Sequence, residues 1–222
     1  MNPVFVALDT SDCDAAEALA RAVAPHVGGL KLGLQFFMAN GAEGVRRLAG
    51  LGLPIFLDVK LHDIPNTVAG ALKALSGLDL FMVNVHAGGG ADMLKAARDA
   101  CAPATKLIGV TVLTSLDDAD LDALGVGDGT AAQVARLAAL SRDAGLDGVV
   151  CSPHEVAALK AAWPGGYFVV PGIRVVAASD DQKRTLTPRE ALAAGASMLV
   201  IGRPITDAAD PAGAARAIAA SL

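Results

Sequence analysis

Apolar and β-branched runs recur along the whole chain: VFVAL from residue 4, GLKLGL from 29, PIFLD from 54, LFMVNV from 80, KLIGVTV from 106, GVVCS from 148, YFVVPG from 167 and MLVIGR from 198. Short runs without a polar face read as strands covered on both sides. Between them lie Ala- and Leu-rich stretches with helical spacing: DAAEALARAVA, TVAGALKALS, ADMLKAARDACA, TAAQVARLAALSRDAG, PHEVAALKAA and TPREALAAGA. Strand followed by helix through eight strands predicts an α/β fold, a (β/α)8 TIM barrel occupying residues 1–222 as a single domain. A doubly wound open sheet is the main competitor. No G-x-G-x-x-G follows the first run, so its dinucleotide-binding version is excluded.

Two stretches interrupt the alternation. DDADLDALGVGDG, residues 117–129, reads as an extended loop with one short helical turn, and RVVAASDDQKRTLTP, starting at Arg174, reads as a second loop. Long loops in a compact domain are often lids over a site.

Barrels of this kind gather their chemistry at the C-terminal ends of the strands. Here the runs end in Asp9, in Lys31, in Asp58 with Lys60, in Asn84 with His86, in Thr114 with Ser115, in Cys151 with Ser152, in Gly172 with Arg174 and in Gly202 with Arg203. Strand alternation puts Phe56, Asp58 and Lys60 on one face, which makes Asp58 and Lys60 neighbours over the barrel mouth. A structural ion pair is the plain reading. Lys31 shifts it toward a site, because a lysine in mid-run between Gly29 and Gly33 is costly to desolvate without acids beside it. Opposite unit charges about 4 Å apart interact by roughly 4 kcal/mol at an effective dielectric near 20. Lys60 is then a fixed cation and a candidate proton donor.

VPGIR and VIGRPITD, at the seventh and eighth strand ends, combine glycine amides, an arginine and a helix start where such barrels hold phosphate. Arg203 offers a bidentate fork. A glycine turn followed by a solvated arginine is the competing reading of either loop alone. Thr114 and Ser115 suit either the polar edge of a ligand or the cap of the next segment. The four histidines, His26, His62, His86 and His154, lack metal-ligand spacing and are read as structural or peripheral.

Composition narrows the class further. Hydrophobic residues make up 53% and charged residues 18%, which excludes a disordered chain. Net charge is −5 and no Lys/Arg cluster occurs, so a nucleic-acid polymer is not an expected partner. Three cysteines without a C-x-x-C pair suggest neither a disulfide framework nor a zinc site, and fit a cytoplasmic, reducing setting. No apolar run is long enough to span a bilayer and the N-terminus lacks a signal-peptide pattern, so a soluble protein with no membrane partner is expected.

The segment D-x-K-x-x-D-I-x-x-T, here Asp58, Lys60, Asp63, Ile64 and Thr67, resembles the signature of the orotidine 5′-phosphate decarboxylase family. Around it VALDTSD with Asp9, LKLGLQFF with Lys31, VLTS with Thr114, PGIR with Arg174, DQ with Gln182 and IGRPIT with Gly202 and Arg203 match in order over nearly the whole chain. The resemblance implies a homodimeric barrel that converts the nucleotide orotidine 5′-monophosphate to uridine 5′-monophosphate and carbon dioxide, with neither metal nor organic cofactor. It implies that Lys60 stabilises and protonates the carbanion at C6, that Asp58 lies beside the departing carboxylate, and that Lys31 and Asp63 complete a network of alternating charges. It further implies that Asp63 and Thr67 complete the neighbouring subunit's site, that Asp9 and Lys31 meet the ribose, that Thr114 lies on the pyrimidine side, and that Gln182 with Arg203 grips the phosphate. One position departs from the pattern: Asp180, where the family commonly has glycine, precedes Asp181 and Gln182.

Two other functions compete. Mg²⁺-dependent sugar-phosphate decarboxylases and aldol-type synthases share D-x-K-x-x-D but carry an acidic metal ligand at the second strand end, where this chain has Lys31. A catalytically silent nucleotide-binding barrel is the other; binding alone would not require Lys60 between two acids.

Overall fold

The computed structural model of the chain describes residues 2–173 and 186–222. Eight parallel strands, β1 (Val4–Leu8), β2 (Gly29–Gly33), β3 (Ile55–Leu61), β4 (Met82–His86), β5 (Lys106–Val110), β6 (Gly148–Val150), β7 (Tyr167–Pro171) and β8 (Met198–Ile201), pair in chain order and close β8 onto β1. This is the expected (β/α)8 barrel, and closure rules out the open sheet. The helices among the described residues are α1 (Cys13–Val23), α2 (Leu34–Ala49), α3 (Pro65–Leu75), α4 (Gly90–Ala100), α5 (Asp118–Ala123), α6 (Gly129–Asp143), α7 (Val156–Ala162), α8 (Pro188–Ala193), α9 (Arg203–Thr206) and α10 (Pro211–Ala220). None is long and apolar enough to cross a membrane.

Alternation along each strand divides the core in two. Inward residues Phe5, Phe56, Met82, Ile108, Val169 and Met198 fill the barrel, whereas their neighbours Val4, Val6, Leu30, Leu57, Val83 and Leu199 face the helix ring. Both faces are buried, which is why the strands show as unbroken apolar runs. Gly148 is needed where β6 meets β7, since a Cβ there would collide with the Tyr167 carbonyl.

Two helices fall where no helical stretch stood out in the sequence. α2 bends at Gly41, whose φ of 57° lies outside helical space, and the break blurs its periodicity. α10 is alanine-rich and buries only Ala215 and Ile218. The 117–129 segment contains the expected short helix, α5, which starts with a reciprocal capping box between Asp117 and Asp120. With Asp117 as that cap, the capping alternative for Thr114 and Ser115 does not hold.

Candidate active site

The first three strands deliver a chain of alternating charge to the barrel mouth. Asp9 follows β1, and its Oδ1 lies 2.7 Å from Lys31 Nζ on β2. Lys31 Nζ is 3.7 Å from Asp58 Oδ2 on β3, and the other oxygen of Asp58 lies 2.7 Å from Lys60 Nζ. Lys31 is only 8% exposed, and its place between two carboxylates compensates the cost of burying an ammonium. Asp58 Oδ1 also accepts a hydrogen bond from Asn84 Nδ2 at 2.7 Å. Both oxygens of Asp58 and both ammonium groups are therefore matched by an opposite charge or a donor.

Asp58 and Lys60 meet as alternation predicts, but by a different backbone route. The pairing of β3 with β4 runs Leu57↔Val83 and then Leu61↔Val85, so four steps on β3 oppose two on β4. Lys60 sits in this bulge with a φ of 48°, a left-handed value that residues with a Cβ adopt rarely. The bulge turns its side chain back across the mouth toward Asp58.

Below the charges is a cavity of about 190 Å³ whose wall includes Phe56, Val110, Thr114, Cys151, Val169 and Val200. Its apolar base and charged rim suit a flat ring with polar substituents. Cys151 is a wall residue only: burial foremost, and then Glu155, pushes its thiol far above the ordinary range. The mouth widens over Asp9 and Lys31 into an open depression of about 760 Å³ that reaches Gly172, Gly202 and Arg203. Gly172 has a φ of 76°, Gly202 precedes the four-residue helix α9, and Arg203 is exposed without an ion pair to any described residue. Arg174 and Gln182 lie outside the described residues.

Asp63 and Thr67 stand apart from the charge chain within one molecule. Both are exposed; Asp63 Oδ1 accepts the N–H of Ile64 at 2.7 Å, and Thr67 lies in the first turn of α3. Ile64, between them, is 67% exposed. His62 and His86, read from the sequence as structural or peripheral, stack their rings with centroids 5.1 Å apart at the ends of β3 and β4. Asn84 is the residue whose place at a strand end carried no assigned role, although its inward position on β4 was readable from alternation. A second cleft of about 190 Å³, between α6 and α7, is lined by six alanines together with Arg142, His154, Glu155 and Trp163.

The chain is similar to known proteins along nearly its whole length. The model of the orotidine 5′-phosphate decarboxylase / HUMPS family matches residues 2–218. The chain belongs to that family. It is 57% identical to an orotidine 5′-phosphate decarboxylase of Novosphingobium aromaticivorans over 222 residues, covering all of this chain and 99% of that protein. It is 56% identical to the Sphingopyxis alaskensis protein of the same name, with the same coverage. Among solved structures, orotidine 5′-phosphate decarboxylase from Lactobacillus acidophilus superposes with a TM-score of 0.87 at 37% identity, over 98% of this chain and 97% of that one. In family terms the D-x-K-x-x-D segment begins on β3 and ends just beyond it, so its first acid and lysine join the charge chain while its second acid lies outside it.

Proposed function

We propose that this protein decarboxylates orotidine 5′-monophosphate to uridine 5′-monophosphate in pyrimidine biosynthesis, as a carbon–carbon lyase that uses no cofactor. The observation that carries this reading is the charge chain Asp9, Lys31, Asp58, Lys60, with the Lys60 ammonium fixed 2.7 Å from Asp58 over an apolar cavity. Family membership and the names of the relatives support it.

The bond from C6 to the carboxylate breaks and its electron pair stays on C6, while carbon dioxide departs. No carbonyl adjoins C6 to accept that pair, so the developing charge must be met by groups already in place. Lys60 meets it as a cation and then transfers a proton from Nζ to C6. Asp58 holds Lys60 and lies beside the departing carboxylate. Lys31 and Asp9 hold the ribose. Thr114 faces the pyrimidine, and Arg203, Gly202, Arg174 and Gln182 take the phosphate. Binding energy from the phosphate, far from C6, can then be used in the transition state. Asp63 and Thr67 complete the site of a second subunit in a cytoplasmic homodimer, a role favoured by their exposure beside Ile64.

The Mg²⁺-dependent alternative needs an acidic ligand at the end of β2. Lys31 stands there and holds Asp9 in an ion pair at 2.7 Å, a donor set that repels a divalent cation.

The test is the fall in substrate absorbance with purified wild type and Lys60→Ala, each in excess EDTA. Wild type is expected to turn over unimpeded, and Lys60→Ala to lose at least about 10²–10⁴-fold in kcat, the share of a positioned proton donor. Turnover restored only by Mg²⁺, or none in wild type, would reject the reading.

A further inference from the structure

We propose that Asn84 is a positioning residue that aims the Lys60 ammonium at the reacting carbon, by clamping the β3 bulge through both ends of its carboxamide. The inference rests on the functional reading above, and names what sets the geometry of its proton donor.

The bulge creates the need. Between the pairs Leu57↔Val83 and Leu61↔Val85, residues 58–60 leave the regular ladder, and the Lys60 N–H loses the strand partner that a straight β3 would provide. Lys60 must also hold a φ of 48°, which its own Cβ opposes. Asn84 lies opposite this segment, points inward and is 0% exposed. Its Oδ1 accepts the Lys60 N–H at 2.8 Å, and its Nδ2 donates to Asp58 Oδ1 at 2.7 Å. The chemistry fixes which end is which, since a backbone N–H needs an acceptor and a carboxylate needs a donor.

These contacts form a ring that begins and ends on one residue. The path runs from Lys60 N–H to Asn84, from Asn84 to Asp58, and from Asp58 Oδ1 back to Lys60 Nζ at 2.7 Å. Backbone and ammonium of the same lysine are thereby tied through two inward side chains. Filling a bulge would require only the first contact; the second and third set the direction of the ammonium. One acceptor and one donor at this reach define a carboxamide one methylene long. Leucine would offer neither end, and aspartate would turn an oxygen toward Asp58.

In Asn84→Asp the new carboxyl faces Asp58, and two carboxyls sharing one site cannot both ionise cheaply, so one keeps its proton to higher pH than usual. Protonated, the new carboxyl donates to Asp58 and accepts from Lys60 as asparagine does; ionised, it repels Asp58. The ratio of Asn84→Asp to wild-type kcat, measured from pH 8.5 down to 5, is therefore expected to rise by about tenfold or more, one unit of pH per decade of protonation. Asn84→Ala is expected to lose about a hundredfold in kcat, the scale of a 1 Å misplacement, with KM within about threefold of wild type. Its crystal structure is expected to show residue 60 outside the left-handed region. A pH-independent ratio for Asn84→Asp would overturn the proposal, even if Asn84→Ala failed to fold. So would an Asn84→Ala enzyme with unchanged kcat. If wild type itself did not decarboxylate the nucleotide, the functional reading would fall, while the backbone of Asn84→Ala would still report on the clamp.

Discussion

Lys60 combines an ammonium fixed 2.7 Å from Asp58 with a backbone that its own side chain disfavours. A residue with a Cβ at φ 48° costs on the order of 1 kcal/mol relative to glycine, and the hydrogen bond to Asn84 offsets part of it. The strain predicts an inverted mutational order. Glycine in an extended strand is usually about 0.5–1 kcal/mol less stable than alanine. At position 60 both Lys60→Ala and Lys60→Gly lose the ammonium, leave Asp58 in contact with Asn84 and Lys31, and differ only in the Cβ. Lys60→Gly is therefore expected to be the more stable variant by about 1 kcal/mol in urea denaturation. Equal midpoints, or a more stable alanine, would mean that residue 60 relaxes to extended geometry once its long side chain is gone.

At the scale of elements, the β3–β4 junction carries a pH dependence of its own. His86 is half-buried against His62; burial foremost, then the nearby His62 and Lys60, lowers its pKa below the ordinary 6.5. The folded chain thus refuses a proton that the unfolded chain accepts. Between the lowered value and 6.5 the unfolded state binds more protons, so stability is full above about 6.5 and falls as pH drops through that window. Melting temperature is expected to decline from pH 7.5 to 5.5 in wild type and to decline less in His86→Gln; parallel curves would remove His86 as the cause. The same junction shows what local sequence can and cannot reveal. The apolar runs were legible because a barrel strand is covered on both faces, and Asp58 and Lys60 were legible because charges at the end of such a run demand partners. The bulge was not, since it is a mismatch of register between strands about 25 residues apart, and no local pattern encodes it. Asn84 drew no role for the same reason. It is a neutral side chain whose two partners are brought to it by that mismatch. α2 was hidden by a different cause, the kink at Gly41.

For the whole molecule the open question is whether one chain makes one site. Asp63 lies outside the charge chain of its own barrel, yet it follows Lys60 by three residues and stands next to exposed Ile64 and Thr67. A symmetric dimer through this face would carry each Asp63 toward the other barrel's mouth, because a two-fold contact exchanges the same patch in both directions. That arrangement has an arithmetical signature. Lys60→Ala and Asp63→Ala homodimers are each expected to be nearly inactive. In a mixed dimer made from one subunit of each, the site holding the Lys60→Ala defect also receives the Asp63→Ala defect from its neighbour, while the other site has an intact Lys60 and an intact Asp63. One of the two sites is fully restored. Random reassortment of equal amounts makes half of the dimers mixed, so the mixture should regain about a quarter of wild-type activity. If Asp63 instead served its own barrel, each site of the mixed dimer would keep one defect and nothing would be regained. Unfolding and refolding the two variants together, with co-refolded wild type as the reference, separates the outcomes. Recovery near a quarter would require that the site be shared between chains; recovery near zero, with mixed dimers demonstrated by a tag on one variant, would return Asp63 to its own subunit.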